Sequence, residues 1–425
     1  MSFSEIKVSR DQLQSTFTLS DTHVTYANTL RRLILTGVET VAFRSDMTAT
    51  GTTTDVLVKR NDTPMTNEML ADRIGLLPIN IKKPLGWKKD DYLFVLKVEG
   101  DKGTTRYVKS NDFMVVDRKK LPVVGSDEFK GDEKSEEGEV ISNAEFFPPN
   151  PISKDHCLIA SLQPGSGANQ QAIEIRAFAS VGTGREHARF CPVSQCTYEY
   201  TQDPDPIKKE AMFTKWMNVA KKVNDLDKES ERYKELDREF HTMQVKRCFL
   251  QNDKGEPFSF DFTIESAGVL EVTYIVERAL EVGEQMCNRY VNLRNHASLI
   301  PDVYVSSSDS RIIGFDFLFK NHDHTLGNLL QTWLVEKHIE GDAQPQITYA
   351  GYSVPHPLRD EMVLRIGVED GEEATARLAV AEAAKGCAEM FRTMRARWNG
   401  QTGAPASAAA SASARRRTPI SLAKK

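Results

Sequence analysis

None of the cysteines in this chain are spaced as a CxxC pair, nowhere do about 18 consecutive apolar residues occur, and no strong excess of basic charge runs through it. Each lack excludes something. Six cysteines, at positions 157, 191, 196, 248, 287 and 387, are scattered as reduced, mostly buried thiols are, with no disulfide framework. Cys191 and Cys196 are the one close pair, and two ligands do not make a zinc site. With no long apolar run, and with "MSFSEIKVSR" lacking a signal-peptide core, a soluble intracellular chain without membrane contact is expected. A formal net charge of −5 excludes a protein that coats nucleic acid and leaves any such contact local or indirect. Also missing are a nucleophile elbow, a P-loop, a helical HExxH and a carboxylate cluster for catalytic magnesium. No catalytic residue, metal or cofactor is therefore expected.

What is present is enough apolar material, 40% of 425 residues, for two to three domains. Two segments look unable to fold alone. Residues 126–139, "SDEFKGDEKSEEGE", carry seven acids against two lysines and read as an acidic loop. Residues 400–425 run through "GAPASAAASASARRR" to a lysine end and read as a flexible basic tail, an import signal, an anion-seeking arm or a solubilising appendage. Residues 205–247 are dense in Lys, Glu and Asp with no Gly or Pro after Pro206, which favours helix, and Phe213, Trp216, Met217 and Ala220 have the spacing to dock it.

An internal repeat organises the rest. At an offset of 300, "TFTLSDTHVTYANTLRRL" (16–33) lies over "DFLFKNHDHTLGNLLQTW" (316–333), matching Phe17 with Phe317, Thr25 with Thr325, Asn28 with Asn328 and Leu30 with Leu330. Both copies read as strand, turn and helix, with Thr25 and Thr325 placed to cap the first turn. Each is followed by a second strand, 258–266 or 361–370, and a long helix. The first carries Val272, Val276, Leu280, Gly283 and Tyr290 on one side, the second Leu378, Ala381, Ala384, Phe391 and Trp398. Two such αβ units, each with an apolar helix stripe to bury, pack most simply on each other as an intramolecular pseudo-dimer. Leu30, Leu33, Leu330 and Trp333 have the spacing to line that contact, and Gly327 is explained by close approach of another backbone. Arg31 and Arg32 are then left outside, for solvent, an anion or a larger partner, serving assembly rather than the fold.

Two motifs invite other chemistry. In "NHDHT", His322, Asp323 and His324 are all potential metal ligands, but neighbours at a strand-to-helix turn cannot all converge, and a turn with a helix cap is the better account. In "VGTGREHARF", Gly182 and Gly184 make a tight turn beside Arg185, His187 and Arg189. A phosphate cradle needs a helix opening directly after it, whereas "CPVSQCTYEY" reads as strand.

The motifs "NTLRRLIL", "MLADRIGLLPI" (69–79), "VGTGREHARFCPVSQCTYEY" (181–200) and "FSFDFTIESAGVL" resemble the third-largest subunit of eukaryotic RNA polymerase II and the archaeal D subunit. "NHDHTLGNLLQTWL" and "YAGYSVPHPLRDEMVLRI" (349–366) resemble the eleventh subunit and archaeal L, all being relatives of the bacterial alpha N-terminal domain. The resemblance implies an α+β chain of two alpha-like dimerisation units, strand-helix-strand-helix, forming the intramolecular pseudo-dimer, the first interrupted by a mostly β inserted domain. The layout expected is 1–45 plus 250–298 for the first unit, 46–249 for the insert, 299–311 as linker, 312–399 for the second unit and 400–425 as tail. It implies a non-catalytic platform that nucleates association of the two largest polymerase subunits, with small assembly subunits as further partners and nucleic acid touched only indirectly. Subunit contacts are expected at Asn28, Arg31, Arg32, Arg73, Gly75, Thr183, Gly184, Arg185, Glu186 and His187. Internal dimerisation is expected at Leu30, Leu33, His324, Thr325, Leu326, Gly327, Asn328, Leu330 and Trp333. Many relatives hold zinc or an iron–sulfur cluster by cysteines in the insert; residues 46–156 contain none, and no metal is expected there. Fused subunits of this kind resemble those of large cytoplasmic DNA viruses, which implies work in host cytoplasm, virion or nucleus.

Overall fold

The computed structural model describes residues 1–46, 55–119, 138–165, 167–224, 226–295, 300–308 and 312–403. Most of the acidic segment 126–139 and of the 400–425 tail lies outside the described residues. The chain opens with β1 (Ser2–Val8), β2 (Gln14–Ser20), α1 (Val24–Thr36) and β3 (Glu39–Ala42). The insert follows as β4 (Val56–Asn61), α2 (Asn67–Gly75), β5 (Tyr92–Glu99), β6 (Arg106–Lys109), β7 (Phe113–Asp117), β8 (Glu139–Ile141), β9 (Leu158–Leu162) and β10 (Ala172–Ala177). β11 (Ser180–Thr183) pairs with β3, so the chain leaves and re-enters the first unit along a two-stranded stem. The insert is an antiparallel sheet ordered β4-β10-β5-β7-β8 with a β6-β9 ribbon, closed over Phe94, Phe113, Ile159 and Ile175 by α2 through Leu70 and Ile74.

Beyond the stem the layout departs from the expected one. β12 (Val193–Tyr200) is not part of the insert; it pairs with β13 (Ser259–Ser266) and completes the first unit's sheet, β1-β2-β13-β12. Between them, α3 (Pro206–Trp216) and α4 (Glu231–Glu239) form a hairpin closed on itself by Phe213, Met217, Leu236 and Phe240. Phe213, Trp216 and Met217 thus dock α3 on α4, while Ala220 is exposed. α5 (Val272–Asn288) ends the first unit.

The second unit repeats the plan with β14 (Val303–Ser307), β15 (Gly314–Lys320), α6 (His324–Leu334), β16 (Tyr349–Ser353), β17 (Glu361–Gly367) and α7 (Glu373–Thr402). Its sheet order, β14-β15-β17-β16, matches that of the first unit strand for strand. The segment expected to be a linker therefore contains an edge strand, because Val303 and Val305 pair with Phe319 and Phe317 on β15. Period-two alternation buries Phe17 and Leu19 on β2 against Phe260, Phe262 and Ile264 on β13, and likewise Phe317 and Phe319 on β15 against Met362, Leu364 and Ile366 on β17.

One continuous core holds both units, and the contact between α5 and α7 is its most extensive helix pairing, with α1 and α6 beside it. Each long helix reaches the other unit's sheet. Trp398 on α7 is fully buried against Phe3 and Phe17, at 5.2 and 5.1 Å between ring centroids, and Tyr290 just past α5 packs edge-on against Phe319 at 5.0 Å. The Trp398 indole N–H donates to the Thr273 carbonyl at 3.1 Å, which satisfies its polar atom inside the core. Leu378, expected on the buried side of α7, is instead 37% exposed, and Ala379 and Val380 take the interior. Among the described residues no helix is long and apolar enough to cross a membrane.

Candidate functional site

The short helices α1 and α6 cross at the pseudo-two-fold axis. Neither Thr25 nor Thr325 is a cap. His23 Nδ1 accepts the Thr25 amide at 3.2 Å and Asp323 Oδ1 accepts the Thr325 amide at 2.8 Å, each carried by a residue two positions earlier. That frees both hydroxyls to reach across the axis. Thr25 Oγ1 lies 3.1 Å from the Thr332 hydroxyl and 3.4 Å from Asn328 Nδ2; Thr325 Oγ1 accepts from Arg32 Nε at 2.8 Å. Residues 25 with 332, and 325 with 32, are the same pair seen from the two sides, as an isologous contact requires.

Arg32 is consequently not left outside. Its Nη2 pairs with Asp323 Oδ2 at 2.9 Å, tying the end of one short helix to the start of the other. Burial works to raise the Asp323 carboxyl, but bonds from Thr325 and the charges of Arg32 and Arg185 outweigh it and hold the group below the usual carboxylate range. Arg31, one residue earlier, points the other way. Its Nε donates to Asn28 Oδ1 at 3.0 Å, and both line an open groove with Thr197, Tyr198, Tyr200 and Lys246 along the free edge of β12. Cys196 sits beneath, and burial pushes its thiol up to about 12, so it is no nucleophile.

Leu30, Leu326 and Leu330 are fully buried in the shared core. Leu33 and Phe391 both close on Gly283, and Trp333 lies over Gly386 with its ring edge-on to Tyr26 at 6.1 Å. A Cβ at Gly283 would stand 2.9 Å from Leu33, and one at Gly386 2.4 Å from Trp333. The close approach expected at Gly327 is of a different kind: the neighbour is the Tyr352 ring of its own sheet, not another backbone. His324 is exposed and faces the Tyr352 hydroxyl at 3.2 Å, away from the contact between units. His322, by contrast, is half-buried with Nε2 2.6 Å from the Tyr290 hydroxyl, and burial, then Arg185, lower its pKa to about 4.

The loop after β11 closes against both units. Gly184 has no room for a side chain, since a Cβ would fall 2.2 Å from the Leu35 carbonyl oxygen, and the Arg185 amide donates to Thr36 O at 3.2 Å. Thr183 O accepts the amides of Glu186 and His187. Arg185 donates to Asn321 O at 2.8 Å and pairs with Asp360, both in the second unit. Glu186 is held below the carboxylate range by its bidentate bond with Arg44. His187 Nδ1 accepts from the amide and side chain of Arg189, whose guanidinium runs inward to Phe43 O and Ser45 Oγ. Arg73 on α2, which ends at Gly75, donates to the carbonyls of Ile159 and Leu158 at 2.8 and 3.0 Å. These arginines thus brace the loop and the insert, and Arg185, Glu186 and His187 remain exposed at the tip. Among the described residues no three His, Cys, Asp or Glu side chains gather as a metal site.

Sequence reasoning missed a further cluster. Glu277, Glu281 and Glu284 are buried along α5, and Arg278, Arg392, Arg395 and Asn399 meet them. The signal was present as acids at i, i+4 and i+7 facing a basic run on α7, a pattern usually seen on solvated faces.

Two αβ units of one plan, paired through their helices with a loop and an arginine groove exposed beside the junction, define a dimerisation scaffold rather than a catalytic domain. Residues 16–287 match the RNA polymerase Rpb3/Rpb11 dimerisation domain, and residues 315–397 match a second version of that domain. The chain belongs to the RNA polymerase Rpb3/Rpb11 dimerisation-domain family. It is 27% identical over 297 residues to the bovine DNA-directed RNA polymerases I and III subunit RPAC1, covering 63% of this chain and 77% of that protein. Likeness extends to subunit 3B of the Arabidopsis thaliana DNA-directed RNA polymerases IV and V, 25% over 294 residues with 63% and 84% covered. It extends also to subunit Rpo3 of Methanopyrus kandleri, 26% over 294 residues with 64% and 89% covered.

Proposed function

We propose that this chain supplies both halves of the polymerase assembly dimer in one polypeptide and presents it to the two largest subunits, with small assembly subunits joining the same platform. The chain is a non-catalytic subunit of a multisubunit DNA-directed RNA polymerase, and the chemistry resides in other chains. The observation that carries this reading is the pairing of two family-type units across α1, α5, α6 and α7, which leaves the groove lined by Arg31 open and the 185–187 tip exposed beside the junction. Fusion makes the pairing intramolecular, with an effective concentration in the millimolar range for a short joint. Because fused subunits of this kind resemble those of large cytoplasmic DNA viruses, such a virus is the proposed source, with the enzyme working in host cytoplasm, virion or nucleus.

The test is capture. The tagged chain, co-expressed with the two largest subunits of its own polymerase, retains both through a salt wash, and Arg31→Glu weakens retention while leaving the tagged chain folded. Retention of neither large subunit by the unmodified chain overturns the proposal.

A further inference from the structure

The buried acids of α5 meet their partners on α7 in strict antiparallel order. Glu277 Oε1 accepts from Asn399 Nδ2 at 2.9 Å, Glu281 pairs with Arg395 at 3.3 Å, and Glu284 pairs with Arg392 at 2.8 Å and Arg395 at 2.9 Å. Each step up α5 is matched by an equal step down α7. The three glutamates are buried, Arg395 is 23% exposed and Arg392, at the rim, 56%, and Arg278, held by Glu39, supports Glu281 from the same helix at 2.6 Å. A buried ion pair adds little net stability over apolar packing, but one stripped of its partner is costly, so a ladder of this kind discriminates between partners more than it strengthens any one of them.

The internal symmetry shows what it discriminates against. Gly283 and Gly386 are equivalent positions, since each receives residue 33 or 333 from its own short helix. On that equivalence α7 carries Val380, Ala384 and Cys387 where α5 carries Glu277, Glu281 and Glu284. A second unit paired with a copy of itself would set Arg392 and Arg395 against Cys387 and Ala384, with no acid to meet them. A first unit paired with its own copy would offer Arg289 to Glu284 in place of Arg392, but α5 ends at Asn288, so no residue of that helix stands in place of Arg395 to meet Glu281. We infer that the α5–α7 ladder is the element that makes each unit take the other, and not a second copy of itself, as its partner. The apolar core around it serves any αβ unit of this plan; the charges admit only one whose helix presents two arginines in this register. The inference concerns the pairing itself and stands apart from which subunits the platform carries.

The test uses full-length chains. Glu284→Arg sets three arginines together, and the double variant Arg392→Glu, Arg395→Glu sets four acids together. Each chain alone is expected to lose at least 5 °C in Tm and to leave the monomer peak in light scattering at micromolar concentration. All three substitutions in one chain restore a monomer with most of the lost Tm. Co-expressing the Glu284→Arg chain with the double variant is the selective readout. Neither can pair within itself, yet the first unit of one suits the second unit of the other, so a 1:1 mixed dimer is expected. The inference is overturned if both parent chains stay monomeric with unchanged Tm, if the triple variant is no better than its parents, or if no mixed dimer forms.

Discussion

Arg31 and Arg32 are neighbours with opposite tasks, and the difference is measurable. Arg31 hydrogen-bonds Asn28 of its own helix at the wall of an open groove, so Arg31→Glu should shift stability by no more than about 0.5 kcal/mol in thermal melts. Against the large subunits the same change should cost about 2–5 kcal/mol in pull-down affinity, as expected for a desolvated interfacial charge. Arg32→Ala is the reverse: with Asp323 Oδ2 and the Thr325 hydroxyl deprived of the guanidinium, it should cost about 1–2 kcal/mol of the chain's own stability, a figure reduced because the ion pair is about a third exposed. A melt of Arg32→Ala that overlays the parent would show the cross-unit pair to be ornamental. His322 belongs to the same scale. Its folded pKa of about 4 lies below the usual histidine value, so the unfolded chain takes up this proton first as pH falls. Stability should be full above about pH 6.5, drop through the window down to about 4 and level off below. The loss is ~1–2 kcal/mol at this half-buried site, after solvent reduces the full shift. Denaturant midpoints of His322→Gln measured across that window should show a shallower slope than the parent, and an identical slope would remove His322 as the cause.

At the scale of elements, α7 is the piece on which both units depend. Trp398→Ala empties a fully buried site formed by Phe3, Phe17 and Thr273 of the other unit, and should cost about 3–5 kcal/mol in chemical denaturation. A loss below about 1 kcal/mol would mean that the α7 end does not hold the first unit's sheet. The central elements were legible in the sequence because period-two burial on β2, β13, β15 and β17 and the 300-residue echo of "YANTL" and "HTLGN" point to one arrangement. The edge strands were not. "VYVSS" of β14 and "YAGYS" of β16 are short and half-exposed, with burial supplied by a neighbour in space rather than along the chain. The caps differ from the expected ones for a related reason: threonine is a good cap in isolation, but here His23 and Asp323 do that work and free the threonines for each other's helix. From the sequence Arg32 faces outward, because nothing local marks Asp323, 291 residues away, as its partner.

For the whole molecule, the two units should outlive the joint between them. A protease site placed between residues 295 and 300, ahead of β14, spares that strand where a cut at Ser306 would break it. The cleaved chain should still elute as one species at micromolar concentration, because buried helix faces and not the joint supply the affinity. Adding Leu330→Asp and Trp333→Asp should release the fragments, since unpaired charge is forced into an apolar contact; separation without those changes would reduce the pseudo-dimer to proximity. The stem of β3 and β11 carries a further consequence, one of timing on the ribosome. Thr18 and Asp261 face each other on adjacent strands of the first sheet, yet they are 243 positions apart in the chain. At roughly 5–20 residues per second, β2 emerges some ten to fifty seconds before the strand it needs. During that interval the insert beyond the stem has all its own strands and can close, while the nascent first unit has an unpaired edge and an uncovered apolar face. The chain therefore spends its synthesis as a finished insert on an unfinished platform, and it is in this period, before β13 arrives, that a nascent-chain chaperone has something to hold.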